Sequence, residues 1–214
     1  MKKSIIIVGM GPGLSLGVAE KFGQEGFAVG MISRNAEKLK QLSEHLAEMG
    51  IASVYAAADV ADTDQLTQAL GLLSDQLNGV HVLHYNAVDA RMKPLMEETV
   101  EDLTNGFKIS VANALAAVRF LLPQLKLHKG AVLLTGGSTA NYPNPDMATI
   151  SLGKAGIRNL AYQLHQALAK DDVFVGTVTV GGWINPQNPK HAPKVLADIF
   201  WDVYVKRDPV ETVS

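Results

Sequence analysis

Gly9, Gly11 and Gly13 alternate with Met10 and Pro12 directly after the apolar run Ser4 to Val8, and a helical spacing of Leu14, Val18, Lys21 and Phe22 begins at once. Glycines in a strand-to-helix turn permit positive φ and let backbone N–H groups close on a pyrophosphate, whose charge the helix N-terminus favours. Gly9, Gly11, Gly13 and Leu14 are therefore candidate dinucleotide contacts, because the motif falls between a first strand and a first helix. Further on, MISRNAEKL places Ser33 and Arg34 where a second strand should end, twenty residues after Gly13. A carboxylate at such a position holds the ribose 2′-hydroxyl of NAD, whereas a basic group accommodates the extra phosphate of NADP. With Ser33 and Arg34 there, NADP(H) is favoured over NAD(H); the plainer alternative is that Arg34 only ends a solvated loop.

A second group of polar residues follows the later strands. Lys154 lies in MATISLGKAGIRNLA with Ile150 four residues before it, and on a helix the two stand one above the other. Ser138 and Tyr142 precede that helix. His84 and Tyr85 end a strand, so their side chains point to opposite faces and at most one of them faces a given cleft. His45, His128, His165 and His191 are scattered without ligand spacing and cysteine is absent, so no metal site is expected.

The elements that must position these groups alternate along the chain. Strands are expected at Ser4 to Val8, Ala28 to Ile32, Ser53 to Ala57, Val80 to Tyr85, Ala131 to Thr135 and Val173 to Val180, with a short one within Val210 to Ser214. Helices are expected at Leu14 to Gln24, Ala36 to Met49, Asp62 to Leu77, Glu97 to Leu127, Met147 to Ala169 and Ala192 to Val205. Gly106 should bend or break the longest of these, and Pro123 near its end fits its termination. The alternation describes an α/β fold: a Rossmann-type, doubly wound parallel sheet of about seven strands with helices on both faces. No linker or repeat divides the 214 residues, so one dinucleotide-binding domain over 1–214 is expected.

These residues together resemble the short-chain dehydrogenase/reductase family across nearly the whole chain. The resemblance implies an adenine contact at Asp59 and Val60. It also identifies His84-Tyr85-Asn86-Ala87-Val88 as a degraded Asn-Asn-Ala-Gly signature, with Asn86 and Ala87 beside the cofactor, and it places Ile184 of Gly181-Gly182-Trp183-Ile184 against the nicotinamide amide. Ser15 stands where the family has its third glycine, tolerable with a helical φ. The resemblance further implies a catalytic tyrosine, lysine, serine and asparagine. Only Lys154 matches outright: Ile150 falls on the tyrosine, Ser110 on the asparagine with Asn113 a decoy three residues later, and Gly137 on the serine with Ser138 one place late. Tyr142, Tyr85, His84 and Ser138 are the candidates for a replacement proton source. The substrate lid, about Asn185 to His191, is short, and Trp183 either floors the cleft or packs in the core.

A formal charge of −2 without a Lys/Arg block argues against nucleic acid. The run Ile5 to Val8 is too short for a signal peptide or a span, so no membrane association and a cytoplasmic location are expected. Faces rich in alanine (Ala112, Ala114, Ala116, Ala117) on the long helical segment suggest a homodimer or homotetramer, the assemblies implied by the resemblance. Two functions stay open. One is an NADP(H)-dependent oxidoreductase acting on a small-molecule carbonyl or alcohol with a non-standard proton donor. The other is a pseudoenzyme, a cofactor-binding sensor or regulator on the same fold.

Overall fold

The computed structural model describes residues 2–214. Seven strands form one parallel sheet in the order β3-β2-β1-β4-β5-β6-β7: β1 Ser4–Val8, β2 Ala28–Ser33, β3 Ser53–Ala57, β4 Val82–Tyr85, β5 Ala131–Gly137, β6 Phe174–Val180 and β7 Glu211–Val213. Helices α1 Leu14–Gln24, α2 Ala36–Glu48, α3 Thr63–Leu77, α4 Val100–Phe107, α5 Asn113–Leu127, α6 Ala148–Leu168 and α7 Pro193–Lys206 cover it.

Covering both faces explains why β1, β5 and β6 are buried along their whole length, their apolar residues interrupted only by Ser, Thr and Gly. Successive side chains divide between two cores. Ile6, Val8, Leu83, Tyr85, Val132 and Leu134 meet α3, α5 and α6, while Ile5, Ile7, Val82 and Leu133 meet α1 and α7. Side-chain caps fix helix starts: Asn35 accepts from the Lys38 amide, Asp62 from Asp64 and Gln65, and Thr99 with Asp102 forms a reciprocal capping box.

One expectation about the long helical segment needs correction. Gly106 does not break it; the helix continues through Gly106, whose missing side chain admits Thr149, and the irregularity is a π-type turn at Lys108–Ala112. Pro123 lies in the last turns of α5, which ends at Leu127, the bound expected; Leu121 and Leu125 on either side are core residues, and their burial offsets the lost backbone bond. Of the four alanines, Ala114 and Ala117 are fully buried in the core. The exposed apolar surface of this region is made of Phe107, Leu115 and Phe120 instead. Val100–Leu127 is, among the described residues, the one helical stretch long and apolar enough to cross a bilayer, yet it packs against α3 and α6 as a core element.

β7 is held by charge. Arg158 of α6 makes a two-oxygen contact with Glu211 at 2.9 Å from Nε, and Tyr162 and Thr179 hydroxyls donate to the same carboxylate at 2.9 and 2.6 Å. Arg158, then Thr179 and Tyr162, hold this carboxyl down at about 2 against an ordinary 4.5. A depressed carboxyl contributes stability that is fully present above about pH 4.5 and is lost as pH falls toward 2. Glu211→Gln is expected to cost about 1.5–3 kcal/mol in urea unfolding at pH 7, and to flatten the loss of stability between pH 4.5 and 2; an unchanged acid profile would refute the clamp.

Candidate active site

At the C-terminal ends of β1, β2, β3 and β4 lies an open cleft of about 750 Å³. Gly9 and Met10 line it after β1, Ser33 and Arg34 after β2, Asp59 and Val60 after β3, and Asn86 and Ala87 after β4. The order β2-β1-β4 puts the cleft where the winding direction of the sheet reverses, the usual ligand position in such folds.

Gly9 is demanded by the protein itself. Its φ is +87°, and a Cβ there would lie 2.5 Å from the Ala87 amide nitrogen and 2.9 Å from the Asn86 carbonyl carbon. Gly11 and Gly13 differ: neither has positive φ, and a Cβ on either would meet no protein atom within 4 Å. Their smallness leaves open space above the N-terminus of α1, which has no side-chain cap of its own. Leu14 is buried, so only its backbone is available there.

Ser15 has the helical conformation its position requires, and it does more than replace a glycine. Its hydroxyl donates to the Gly9 carbonyl at 2.9 Å and accepts from Asn86 Nδ2 at 2.7 Å, tying the glycine turn to the loop after β4. Asp59 accepts from the Ala61 amide at 3.0 Å and receives no basic partner from the described residues. Arg34 is exposed and likewise has no acidic or carbonyl partner among the described residues.

Beyond β4 the sequence reading missed a network. Arg91 and Asp89 line the cleft mouth with Asn105 and Ile109. Arg91 donates to Asp89 at 2.6–3.0 Å and to Asp102 at 2.7 Å, and Lys93 joins Asp102 at 3.2 Å. Contacts with Arg91, first Asp89 and then Asp102, raise the guanidinium further, and Arg91 depresses the Asp102 carboxyl. The partners are distant in sequence and join a loop to α4, so no local spacing announces them.

Lys154 sits beside a small closed space shared with Ser110, Thr135, Tyr85 and Gly153. Its Nζ donates to the Thr135 carbonyl at 2.7 Å, and its stem packs on Gly137, where a Cβ would come within 3.2–3.4 Å of three of its carbons. Burial lowers this amine from 10.5 to about 8. Ser110, in the π-type turn, is buried against Gly153 and accepts from the Asp89 amide at 3.3 Å. Asn113 is structural, bonded to the Val60 carbonyl and the Thr63 hydroxyl.

Several expected groups are placed elsewhere. His84 is fully buried on the α7 face, 4.7 Å from the Phe200 ring, with Nε2 on the Thr135 hydroxyl at 3.0 Å; burial, then Lys154, lowers it to about 3. Tyr85 donates its hydroxyl to the Ile109 carbonyl, and burial raises it well above the ordinary phenol range. Neither therefore faces the cleft with a free proton. Tyr142 is 80% exposed, and Trp183 at 71% belongs neither to the core nor to a closed floor. Ser138 opens a half-buried 3-10 turn, with no hydrogen-bond partner for its hydroxyl among the described residues, and Ile184 is exposed in the helix-free stretch between β6 and α7. The cleft thus unites Gly9, Ser33, Arg34, Asp59, Val60, Asn86 and Ala87, while Lys154 lies behind its Ala87–Val88 wall and Gly11, Gly13, Ser138, Tyr142 and Ile184 do not line it.

A doubly wound parallel sheet with a glycine-turn cleft at its switch point defines a Rossmann-like α/β protein. Residues 3–191 match the model of the short chain dehydrogenase family, and the chain belongs to it. A short chain dehydrogenase of Pseudocercospora fijiensis is 28% identical over 188 residues, covering 86% of this chain and 59% of the relative. The L-2,3-butanediol dehydrogenase of Corynebacterium glutamicum is 26% identical over 193 residues, covering 86% and 74%. Against the Pseudocercospora fijiensis relative, the chain thus spans less than two thirds of the other protein's length. Among solved structures, an alcohol dehydrogenase of Thermococcus sibiricus complexed with 5-hydroxy-NADP superposes with a TM-score of 0.87 at 18% identity, covering 99% of this chain and 95% of the other. A metagenomic short-chain oxidoreductase in complex with NADP gives 0.87 and 18%, with the same coverage.

Ser15→Ala leaves Asn86 Nδ2 with only its longer, 3.3 Å bond to Gly9. A loss of about 0.5–1.5 kcal/mol is expected for a hydrogen bond removed from a donor that keeps a second, longer one, read as a lower midpoint of thermal or urea unfolding; an unchanged midpoint would show that the bridge is dispensable.

Proposed function

We propose that this protein is an NADP(H)-dependent oxidoreductase of one domain, residues 1–214, interconverting a carbonyl and an alcohol on a small-molecule substrate. One observation carries the reading: seven positions expected from the sequence to touch a dinucleotide line a single cleft. The residues present fit such a ligand. Gly11 and Gly13 leave unfilled space at an uncapped helix N-terminus, which suits a pyrophosphate. Asp59 and Val60 would border the adenine, and Asn86, Ala87 and Ile184 the nicotinamide side.

Arg34 supports NADP(H) over NAD(H), because an exposed guanidinium without a protein partner is free to pair with a 2′-phosphate. When bound, the cofactor supplies a hydride. Lys154 holds a proton near this end of the cleft, Ser138 offers an unengaged hydroxyl, and Tyr142 remains a candidate only if its exposed loop folds inward on substrate.

Ile150, partly buried one helical turn before Lys154, supports a second reading, a cofactor-binding sensor without turnover, since an alkyl group gives up no proton. The presence of a desolvated, titratable amine at Lys154 favours the enzyme. Calorimetry and steady-state assays separate them: the enzyme oxidises NADPH against an aldehyde, ketone or quinone panel, whereas the sensor binds NADPH and gains activity only as Ile150→Tyr. Arg34→Ala is expected to weaken NADPH roughly tenfold or more while sparing NADH, in line with a charge-assisted bond of about 1.5–3 kcal/mol. Equal loss for both nucleotides would remove the 2′-phosphate assignment.

A homodimer or homotetramer is part of the same proposal, along with a cytoplasmic location and no role in binding nucleic acid or membranes. Phe107, Leu115, Gly156 and Leu160 line a shallow apolar groove of about 410 Å³ between α4–α5 and α6, which supports helix pairing with a second copy. Light scattering is expected to return two or four times 22.9 kDa; a strictly monomeric mass would refute the assembly.

A further inference from the structure

We propose that the substrate is a neutral carbonyl compound bearing an apolar ring system, held by an exposed collar of Met92, Leu95, Met96, Tyr142, Trp183 and Ile184 at the nicotinamide end of the cleft. The inference rests on the oxidoreductase reading above and names its substrate class.

The two halves of the sheet's C-terminal edge differ in kind. Among the described residues, the loops after β1, β2 and β3 expose no large apolar side chain; their large apolar members, Met10 and Val60, are buried. The loops after β4, β5 and β6 do the reverse. Met92, Leu95 and Met96 are exposed after β4, Tyr142 after β5, and Trp183 and Ile184 after β6. A single exposed apolar residue is ordinary, but six on three neighbouring loops form a patch of the kind that meets a ligand.

The three loops adjoin. β4 pairs with β5, and β5 pairs with β6 as far as Gly137 beside Val180, so the segments leave the sheet side by side. The 3-10 turn at Leu95–Glu97 packs against that at Pro145–Met147, and the Thr149 hydroxyl holds the first loop through the carbonyls of Asp89 and Arg91. The Tyr142 amide donates to the Ser138 carbonyl at 2.9 Å, which turns its loop back on the strand end. Past Ile184 the chain is folded away. His191 lies on Gly182 with Nε2 3.2 Å from the Ser214 main-chain oxygen, and the Asn188 side chain accepts from the Lys190 and His191 amides. This short lid leaves Trp183 and Ile184 uncovered.

Charge narrows the ligand further. Residues 138–145 and 181–189 contain no charged side chain. The charges of the β4 loop, Glu97 apart, pair with one another or with Asp102. A carboxylate or phosphate on the substrate would lose water here without gaining a cation, whereas a ring system gains from the apolar area it covers. Trp183 and Tyr142 offer flat faces to such a ring, and Met92 and Met96 adapt to its outline.

The test uses purified full-length protein and three probe aldehydes: 2-naphthaldehyde, its acid analogue 6-formyl-2-naphthoate, and propanal. With NADPH, kcat/KM for 2-naphthaldehyde should exceed that for either of the others by about ten- to a hundredfold. Trp183→Ala should lower the ratio of 2-naphthaldehyde to propanal about tenfold, through KM, and Trp183→Phe should restore most of it. Equal loss for both aldehydes marks a structural tryptophan and overturns the proposal, as does a preference for the acid or for propanal.

A second readout needs no turnover. The chain has two tryptophans, so nitrogen-15 NMR of their indole N–H groups, assigned with Trp183→Phe, follows Trp183 in protein loaded with NADP⁺, which has no hydride to give. The Trp183 signal should move with 2-naphthaldehyde and stay in place with 6-formyl-2-naphthoate at equal concentration. No movement with 2-naphthaldehyde overturns the proposal. Movement on dilution alone marks a second copy of the chain on the patch, and movement only with phosphatidylcholine vesicles marks a membrane surface; either overturns it. Movement with 2-naphthaldehyde but no reduction by NADPH supports the collar as a ligand site and overturns the oxidoreductase reading, whereas failure of NADPH to bind overturns that reading at its root.

Discussion

The close approach of Gly9 to the backbone of Asn86 and Ala87 is the constraint on which the cleft depends. No side chain fits between the first strand's exit and the fourth's, and the positive φ at Gly9 turns the chain toward α1 at that contact. The parallel pairing of Val8 with both Ile32 and Tyr85 fixes the heights of the three exits. Ser15 then fastens the turn to Asn86 from the helix side. A glycine, two strand registers and one hydroxyl thus determine where a ligand's polar groups meet the protein.

The fold was legible because burial on both faces writes parallel strands as runs of Ile, Val and Leu. Ser4–Val8 is such a run, while Ala28–Ser33 and Phe174–Val180 interleave Val with small and hydroxyl residues; cleft residues follow the ends of the first two. Less was legible where tertiary packing overrules local preference. Pro123 carries a helix-ending signal, but the core burial of Leu121 and Leu125 is not visible at that residue. His84 and Tyr85 were correctly divided between two faces; which face held the site depended on α6 and α7 lying on opposite sides of the sheet.

The candidate catalytic region shows the same division. Lys154 was identifiable from its setting in the sequence, whereas its bond to Thr135 and its contact with Gly137 depend on the register of β5 against α6. The Asp89–Arg91–Asp102 network at the cleft mouth was invisible for a related reason. Its members are scattered over a loop and a helix, and a surface charge in sequence gives no sign of whether it meets a partner.

The π-type turn at Lys108–Ala112 holds one residue more than a regular helical turn would. Removing a single residue there would restore ordinary winding and leave the helix downstream in nearly the same phase. Leu121 and Leu125 would keep their places in the interior, while Ser110, inside the widened turn, would lose its place against Gly153. The extra residue therefore serves the position of Ser110 and not the burial of α5: a shortened turn would still lay the helix on the sheet but would empty the place beside Gly153.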